Sequence, residues 1–177
     1  MGAGTDQIRV EGVSQLASVE YSVIPDRIVA GTLMMAVVAS GGDVILEKMI
    51  PAHLEAVTAK LREAGVQIRK ENDRLRVQGV ARPEAVEFVR TLPYPGFPTD
   101  LQAQMMALLT RARGSSVIVE SVFESRFKHV GELNRTGASI IVATDTRTAI
   151  VNGVEKLTGA SEARGWPVNT VRSGRGK

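Results

Sequence analysis

A helix–strand–helix–strand–strand pattern occurs twice along this chain, and nothing else in the sequence restricts the fold as much. In the first copy Asp26-Arg27 leads into IVAGTLMMAVVAS, an apolar helical run that Gly41-Gly42 ends. DVILEKM then reads as a strand, and His53 to Ala64 (HLEAVTAKLREA) as an amphipathic helix with Leu54, Val57 and Leu61 on one face. Gly65 is its expected stop, since a glycine closes a helix C-terminus in the left-handed conformation at little cost. VQIRKE and DRLRVQG follow as two short strands able to form a hairpin. The second copy starts at Thr99-Asp100 and runs through the helix LQAQMMALLTRA to Gly114. SVIVESV is its strand, RFKHVGELNRT its second helix, Gly137 the stop, and ASIIVAT with RTAIVNG the hairpin. Gly65 recurs as Gly137 and Gly79 as Gly153, about 72 to 74 positions on, and Glu47 and Glu120 close equivalent strands at the same offset.

One such unit cannot cover the apolar face of its own sheet, so two copies point to α/β layers that need further units or a partner. The opening MGAGTDQIRVEGV carries the strand-like IRVEGV, and LASVEYSVIP is another extended stretch. Residues 1–24 therefore read as the end of a preceding domain with an interdomain strand. Residues 25–90 and 91–160 are the two units. SEARGWPVNTVRSGRGK has lost the periodicity, and 161–177 is expected to be a divergent, disordered basic tail.

Composition narrows the chemistry. The 177 residues are 44% hydrophobic but only 4% aromatic, which suits layers packed with aliphatic side chains. Without cysteine there is no disulfide framework, thiolate metal site or cysteine nucleophile. His53 and His129 sit in different segments, so no transition-metal spacing is present. No signal peptide and no bilayer-length apolar run is read, and a soluble, cytoplasmic protein is expected. Much of the net charge of +3 lies in the tail, at Arg164, Arg172, Arg175 and Lys177. The rest is close to balanced, so neither nucleic acid nor a membrane is an expected partner.

The run LPYPGFPTDLQAQ, Leu92 to Gln104, holds the strongest candidate group. Three prolines in six residues make the approach stiff, and Thr99 and Asp100 then stand at a helix start. A carboxylate braced there is either an ordinary cap, the commoner meaning, or a functional acid. Arg126 reads as a surface partner of Glu124 or Glu120, or as an anion-binding fork. Val122 reads as sheet core or as a contact residue.

The strings GAGTDQIRVEGV, EYSVIPDRIVAGT, HLEAVTAKLREAGVQI, TLPYPGFPTDLQAQMMALLT and ESVFESRFKHVGELNRTGA carry a resemblance from about Gly2 to Ala160. The chain resembles the UDP-N-acetylglucosamine enolpyruvyl transferases (1-carboxyvinyltransferases). That resemblance implies a two-domain enzyme, each domain an inside-out α/β barrel of three βαβαββ units, of which two are present here. It implies transfer of enolpyruvyl from phosphoenolpyruvate to the 3-hydroxyl of UDP-N-acetylglucosamine, the first committed step of peptidoglycan synthesis, with no cofactor and no metal. Asp100 matches the aspartate that binds the sugar nucleotide and takes the hydroxyl proton. Val122 matches a residue contacting the sugar nucleotide, and Arg126 the arginine that helps hold phosphoenolpyruvate. These residue types suit the task, because an attacking hydroxyl needs a base in reach and an anionic donor needs guanidinium donors.

Asp26 and Arg27, in the parallel position of the first copy, stay a cap and an interdomain or structural contact. The family's proton-donating loop residue belongs to the other domain, and the tail replaces the third unit. Ser125 stands where asparagine is usual. The expectation is thus a fragment, inactive alone, lacking the N-terminal domain and the C-terminal unit. A half that works with a separately encoded partner domain and a shikimate-pathway-type transferase are the alternatives.

Overall fold

In the computed structural model, which describes residues 1–2 and 7–159, regular structure begins at Asp26. Its Oδ1 accepts the backbone N–H groups of Ile28 at 2.7 Å and Val29 at 3.3 Å, and so caps α1 (Arg27–Ser40). β1 (Asp43–Leu46) follows, then a 3-10 turn over Pro51–Leu54 that enters α2 (Glu55–Glu63). The hairpin β2 (Gln67–Glu71) and β3 (Arg74–Gln78) completes an antiparallel sheet in the order β1-β3-β2.

The second copy repeats this plan with one strand more. β4 (Phe88–Arg90) pairs parallel with β5 (Ser115–Val119), with α3 (Gln102–Leu109) between them in sequence. α4 (Val130–Arg135), β6 (Ser139–Val142) and β7 (Thr148–Asn152) follow, and the sheet runs β4-β5-β7-β6. The duplication extends to register. Gln78 lies opposite both Asp43 and Gln67, and Asn152 lies opposite both Ser115 and Ser139. The landmark glycines after α2 and α4 share one backbone state, with φ of 86° at Gly65 and 87° at Gly137.

The buried face of each sheet meets α1 and α3 in one continuous core. Leu75 and Val77 from β3, Ala149 and Val151 from β7, Met34 and Val38 from α1, and Met105, Met106 and Leu109 from α3 all belong to it. α1 sits directly on the turn before α3, because a Cβ at Gly31 would collide with the Leu101 side chain. Gln104 Nε2 donates to Thr32 Oγ1 at 3.2 Å across the same helix pair. Among the described residues the two sheets stay open. They form part of the expected barrel architecture and not a closed one.

Three local expectations are corrected. The strand expected in IRVEGV is absent, and the described residues from Ile8 to Pro25 are exposed and belong to neither sheet. An extended segment becomes a strand only when its N–H and C=O groups meet a sheet edge, and here Arg9 exchanges its backbone hydrogen bonds with Met1 instead, at 3.0 Å each. The helix expected over RFKHVGELNRT shrinks to Val130–Arg135, because the chain from Ser125 to His129 is spent on turns. The strand SVIVESV ends at Val119, so Glu120 and Val122 leave the sheet. The tail 161–177 lies outside the described residues.

Candidate functional site

The proline-rich run is braced by hydrogen bonds as well as by its rings. Leu92 N–H donates to the Phe97 carbonyl at 2.9 Å and Gly96 N–H to that of Pro93 at 2.8 Å. Phe97 is 4% exposed and anchors the loop in the core. At the loop tip the Arg27 guanidinium lies 4.8 Å from the Tyr94 ring centre, and His53 meets that ring edge-on at 5.9 Å. The first copy thus holds the loop that delivers the acid of the second.

Pro98 is extended, and the chain then tightens into a 3-10 turn over Thr99–Leu101 before α3 begins. No side chain caps either start. The cap expected at Thr99-Asp100 is therefore corrected: Asp100 stands inside the turn, where its carboxylate does not serve as a cap. The Asp100 side chain is 58% exposed, and its Oδ1 accepts Arg126 Nη2 at 3.0 Å. Arg126 Nη1 donates to Thr99 Oγ1 at 3.3 Å, and the guanidinium lies 5.1 Å from the centre of the Phe123 ring. The partners expected for Arg126 are engaged elsewhere. Glu124 pairs with Arg147 at 2.6 Å, and Glu120 is buried beneath the site.

Glu120 is 1% exposed. Its Oε1 accepts Thr91 Oγ1 at 2.7 Å and the N–H groups of Val122 at 2.9 Å and Phe123 at 3.1 Å. Its Oε2 accepts Thr99 Oγ1 at 2.7 Å. Burial by itself would push this carboxyl up, but the Thr91 and Thr99 hydroxyls and the two backbone donors outweigh it and hold it below the usual carboxylate range. Thr91, wholly buried, also accepts Ser121 N–H at 3.0 Å and donates its own N–H to Val119. Glu47, the matching strand-end acid of the first copy, is instead half-exposed and paired with Arg74 at 3.0 Å.

Asp100 and Arg126 are thus in direct contact, and Val122 joins them through Glu120. Val122 is 38% exposed at the surface, not in the sheet core. Ser125 takes φ 55°, a left-handed conformation that asparagine tolerates better than serine does. The arrangement offers one solvent-facing carboxylate able to accept a proton and one fork able to bind an anion. Sequence reasoning missed Thr91 and Glu120 as site-building residues. Their one signal was an acid ending an apolar strand between two serines, and the repeat made it look like a mere landmark.

The EPSP synthase (3-phosphoshikimate 1-carboxyvinyltransferase) family model matches residues 1–171. The chain is 56% identical over 159 residues to UDP-N-acetylglucosamine 1-carboxyvinyltransferase 1 of Caldanaerobacter subterraneus subsp. tengcongensis, covering 90% of this chain and 38% of that protein. It is 56% identical over 160 residues to UDP-N-acetylglucosamine 1-carboxyvinyltransferase of Desulfofundulus thermocisternus, covering 90% of this chain and 65% of that protein. The chain thus spans less than two thirds of the length of either. Among solved structures it is similar to the enolpyruvyl transferase NikO from Streptomyces tendae, with TM-score 0.61 and 24% identity over 74% of this chain and 31% of that one. EPSP synthase from Acinetobacter baumannii gives TM-score 0.58 and 18% identity, over 78% of this chain and 33% of that one. These likenesses show the fold, a part of the enolpyruvyl transferase architecture.

Proposed function

This chain belongs to the EPSP synthase family, and on that premise we propose that it supplies one part of a site that transfers enolpyruvyl to a sugar nucleotide. The acceptor is the 3-hydroxyl of UDP-N-acetylglucosamine and the donor is phosphoenolpyruvate, as the names of the similar relatives suggest. In the transfer the hydroxyl oxygen bonds to the enolpyruvyl carbon, the bond from that carbon to the phosphate oxygen breaks, and inorganic phosphate leaves. Asp100 takes the hydroxyl proton. Arg126 holds the anionic donor, and Val122 lies against the sugar nucleotide. The work belongs to cytoplasmic peptidoglycan synthesis.

The observation that carries this reading is the Asp100–Arg126 pair, 3.0 Å apart, with neither group serving as a helix cap. A base and an anion fork side by side are what a hydroxyl attack on an anionic donor requires. The proton donor and further arginines are expected from a separate domain, so the chain alone forms part of a site.

The test is release of phosphate from phosphoenolpyruvate, with UDP-N-acetylglucosamine as acceptor. The chain alone should release none above background, and mixing with the N-terminal domain of a relative should restore release. Asp100→Asn should then lower the rate about 100-fold or more, the usual contribution of a positioned general base. Equal rates for Asp100→Asn, or turnover only with shikimate 3-phosphate, would overturn the reading.

A further inference from the structure

An exposed Asp–Arg pair is worth about 0 to 1 kcal/mol and does not by itself hold two long side chains in one geometry. Something beneath this pair has to fix it, and the residue there is Glu120. We propose that Glu120, acting with Thr91 and Thr99, is a positioning residue that presets Arg126, Asp100 and the Val122 backbone for the transfer. This rests on the function proposed above.

The argument follows each proton. Thr99 Oγ1 has one proton and two lone pairs. Its proton goes to Glu120 Oε2 at 2.7 Å, which leaves the lone pairs facing Arg126 Nη1 at 3.3 Å. Glu120 therefore decides that Thr99 is an acceptor toward the guanidinium. With Nη1 directed to Thr99, Nη2 falls on Asp100, the next residue along the turn. The same carboxylate receives the N–H groups of Val122 and Phe123, and the Phe123 ring lies beside the guanidinium. One buried group thus reaches all three proposed contact residues.

Glu120 itself is excluded from the chemistry. Three donors converge on Oε1 and one on Oε2, and the residue is 1% exposed, so burial keeps its carboxylate out of reach of a substrate hydroxyl. The inward turn is peculiar to the second copy. The first copy forms its three-stranded sheet with Glu47 at the surface on Arg74. The second copy has turned a strand-end acid inward, and only there does an acid–arginine pair stand above it.

The experiment uses the full chain with Glu120→Gln, Thr99→Val and Thr99→Ser. Two signals are read by NMR: the Arg126 side-chain N–H resonances and the titration with UDP-N-acetylglucosamine. Glutamine keeps the shape but turns the acceptor facing Thr99 into a donor, and valine removes the hydroxyl. Both should bring the Arg126 signals toward the position and fast exchange of a free arginine, and weaken the sugar nucleotide by about tenfold. Thr99→Ser keeps the hydroxyl and should restore both.

Unchanged Arg126 signals in Glu120→Gln and Thr99→Val would overturn the proposal. So would a loss that Thr99→Ser shares. If Glu120→Gln fails to fold, Thr99→Val against Thr99→Ser decides, because Thr99 lies at the half-exposed edge of the network. If the wild-type chain binds no sugar nucleotide, the proposed function fails in this chain while the Arg126 signals still decide the positioning role.

Discussion

Asp26 and Asp100 carry one chemical group into two different occupations. Asp26 gives its carboxylate to the backbone at the start of α1, whereas Asp100 gives its own to Arg126. Stability and function should therefore separate. Asp26→Ala should cost about 1 kcal/mol of unfolding free energy, read from the urea midpoint, and leave sugar-nucleotide binding unchanged. Asp100→Ala should cost about 0 to 1 kcal/mol yet abolish binding. Ser125 gives a second residue-scale expectation, because it holds φ 55° without the asparagine or glycine that suits it. Ser125→Asn should raise stability by about 0.5 to 1 kcal/mol, and a fall would show that the serine hydroxyl has a role of its own. A third concerns pH. Burial pushes the half-buried His129 imidazole below its ordinary 6.5, and the nearby Arg126 charge adds to this against a backbone hydrogen bond that opposes it. The folded state thus disfavours imidazolium, so this contribution is complete above about pH 6.5 and is lost as pH falls below it. His129→Asn should flatten that part of the stability–pH curve, and an unchanged slope would count against the assignment.

At the scale of elements, what was legible in the sequence is what local rules decide. The order of helices and strands, the stops at Gly65 and Gly137, and the apolar runs of α1 and α3 follow from period, glycine and capping chemistry. The two sheets share a pairing register, with Gln78 and Asn152 each opposite two strands in equivalent places. What escaped depends on a one-residue shift. The first copy places its acid one residue before the helix, while the second lets the turn begin at Thr99, which carries Asp100 past the cap position. No propensity distinguishes these, because the 3-10 turn is fixed by Pro98 and by Leu101 packing on Gly31 from the other copy. The inward turn of Glu120 escaped for a similar reason, since its four donors come from residues spread between Thr91 and Phe123. The Gly31 contact also gives a test. Alanine would favour the helix interior by about 1 kcal/mol. Its methyl would meet the fully buried Leu101, where overpacking costs about 1 to 3 kcal/mol. Gly31→Ala should therefore destabilise on balance and disturb the turn that carries Asp100. A stabilised variant would mean that Leu101 moves aside freely.

Around the continuous core of the described residues, α1 leaves apolar side chains open. Val29 and Leu33 on α1 are 55% and 48% exposed. They line a groove of about 270 Å³ together with Pro25, Ala30, Leu46 and Met49. Such a surface invites hydrophobic ligands and self-association. The chain should therefore enhance the fluorescence of a hydrophobic dye in native buffer. The control is Val29→Lys with Leu33→Lys. If these side chains are as open as they stand here, the charges should cut dye binding while unfolding free energy stays within about 0.5 kcal/mol. If they were packed, losing them would instead cost several kcal/mol, in the range of about 2 to 5 for a buried aliphatic side chain. That loss, or a native chain that binds no dye, would show that the face is covered in solution. A small change in stability with a large loss of dye would place the open surface on α1, the helix that carries Gly31.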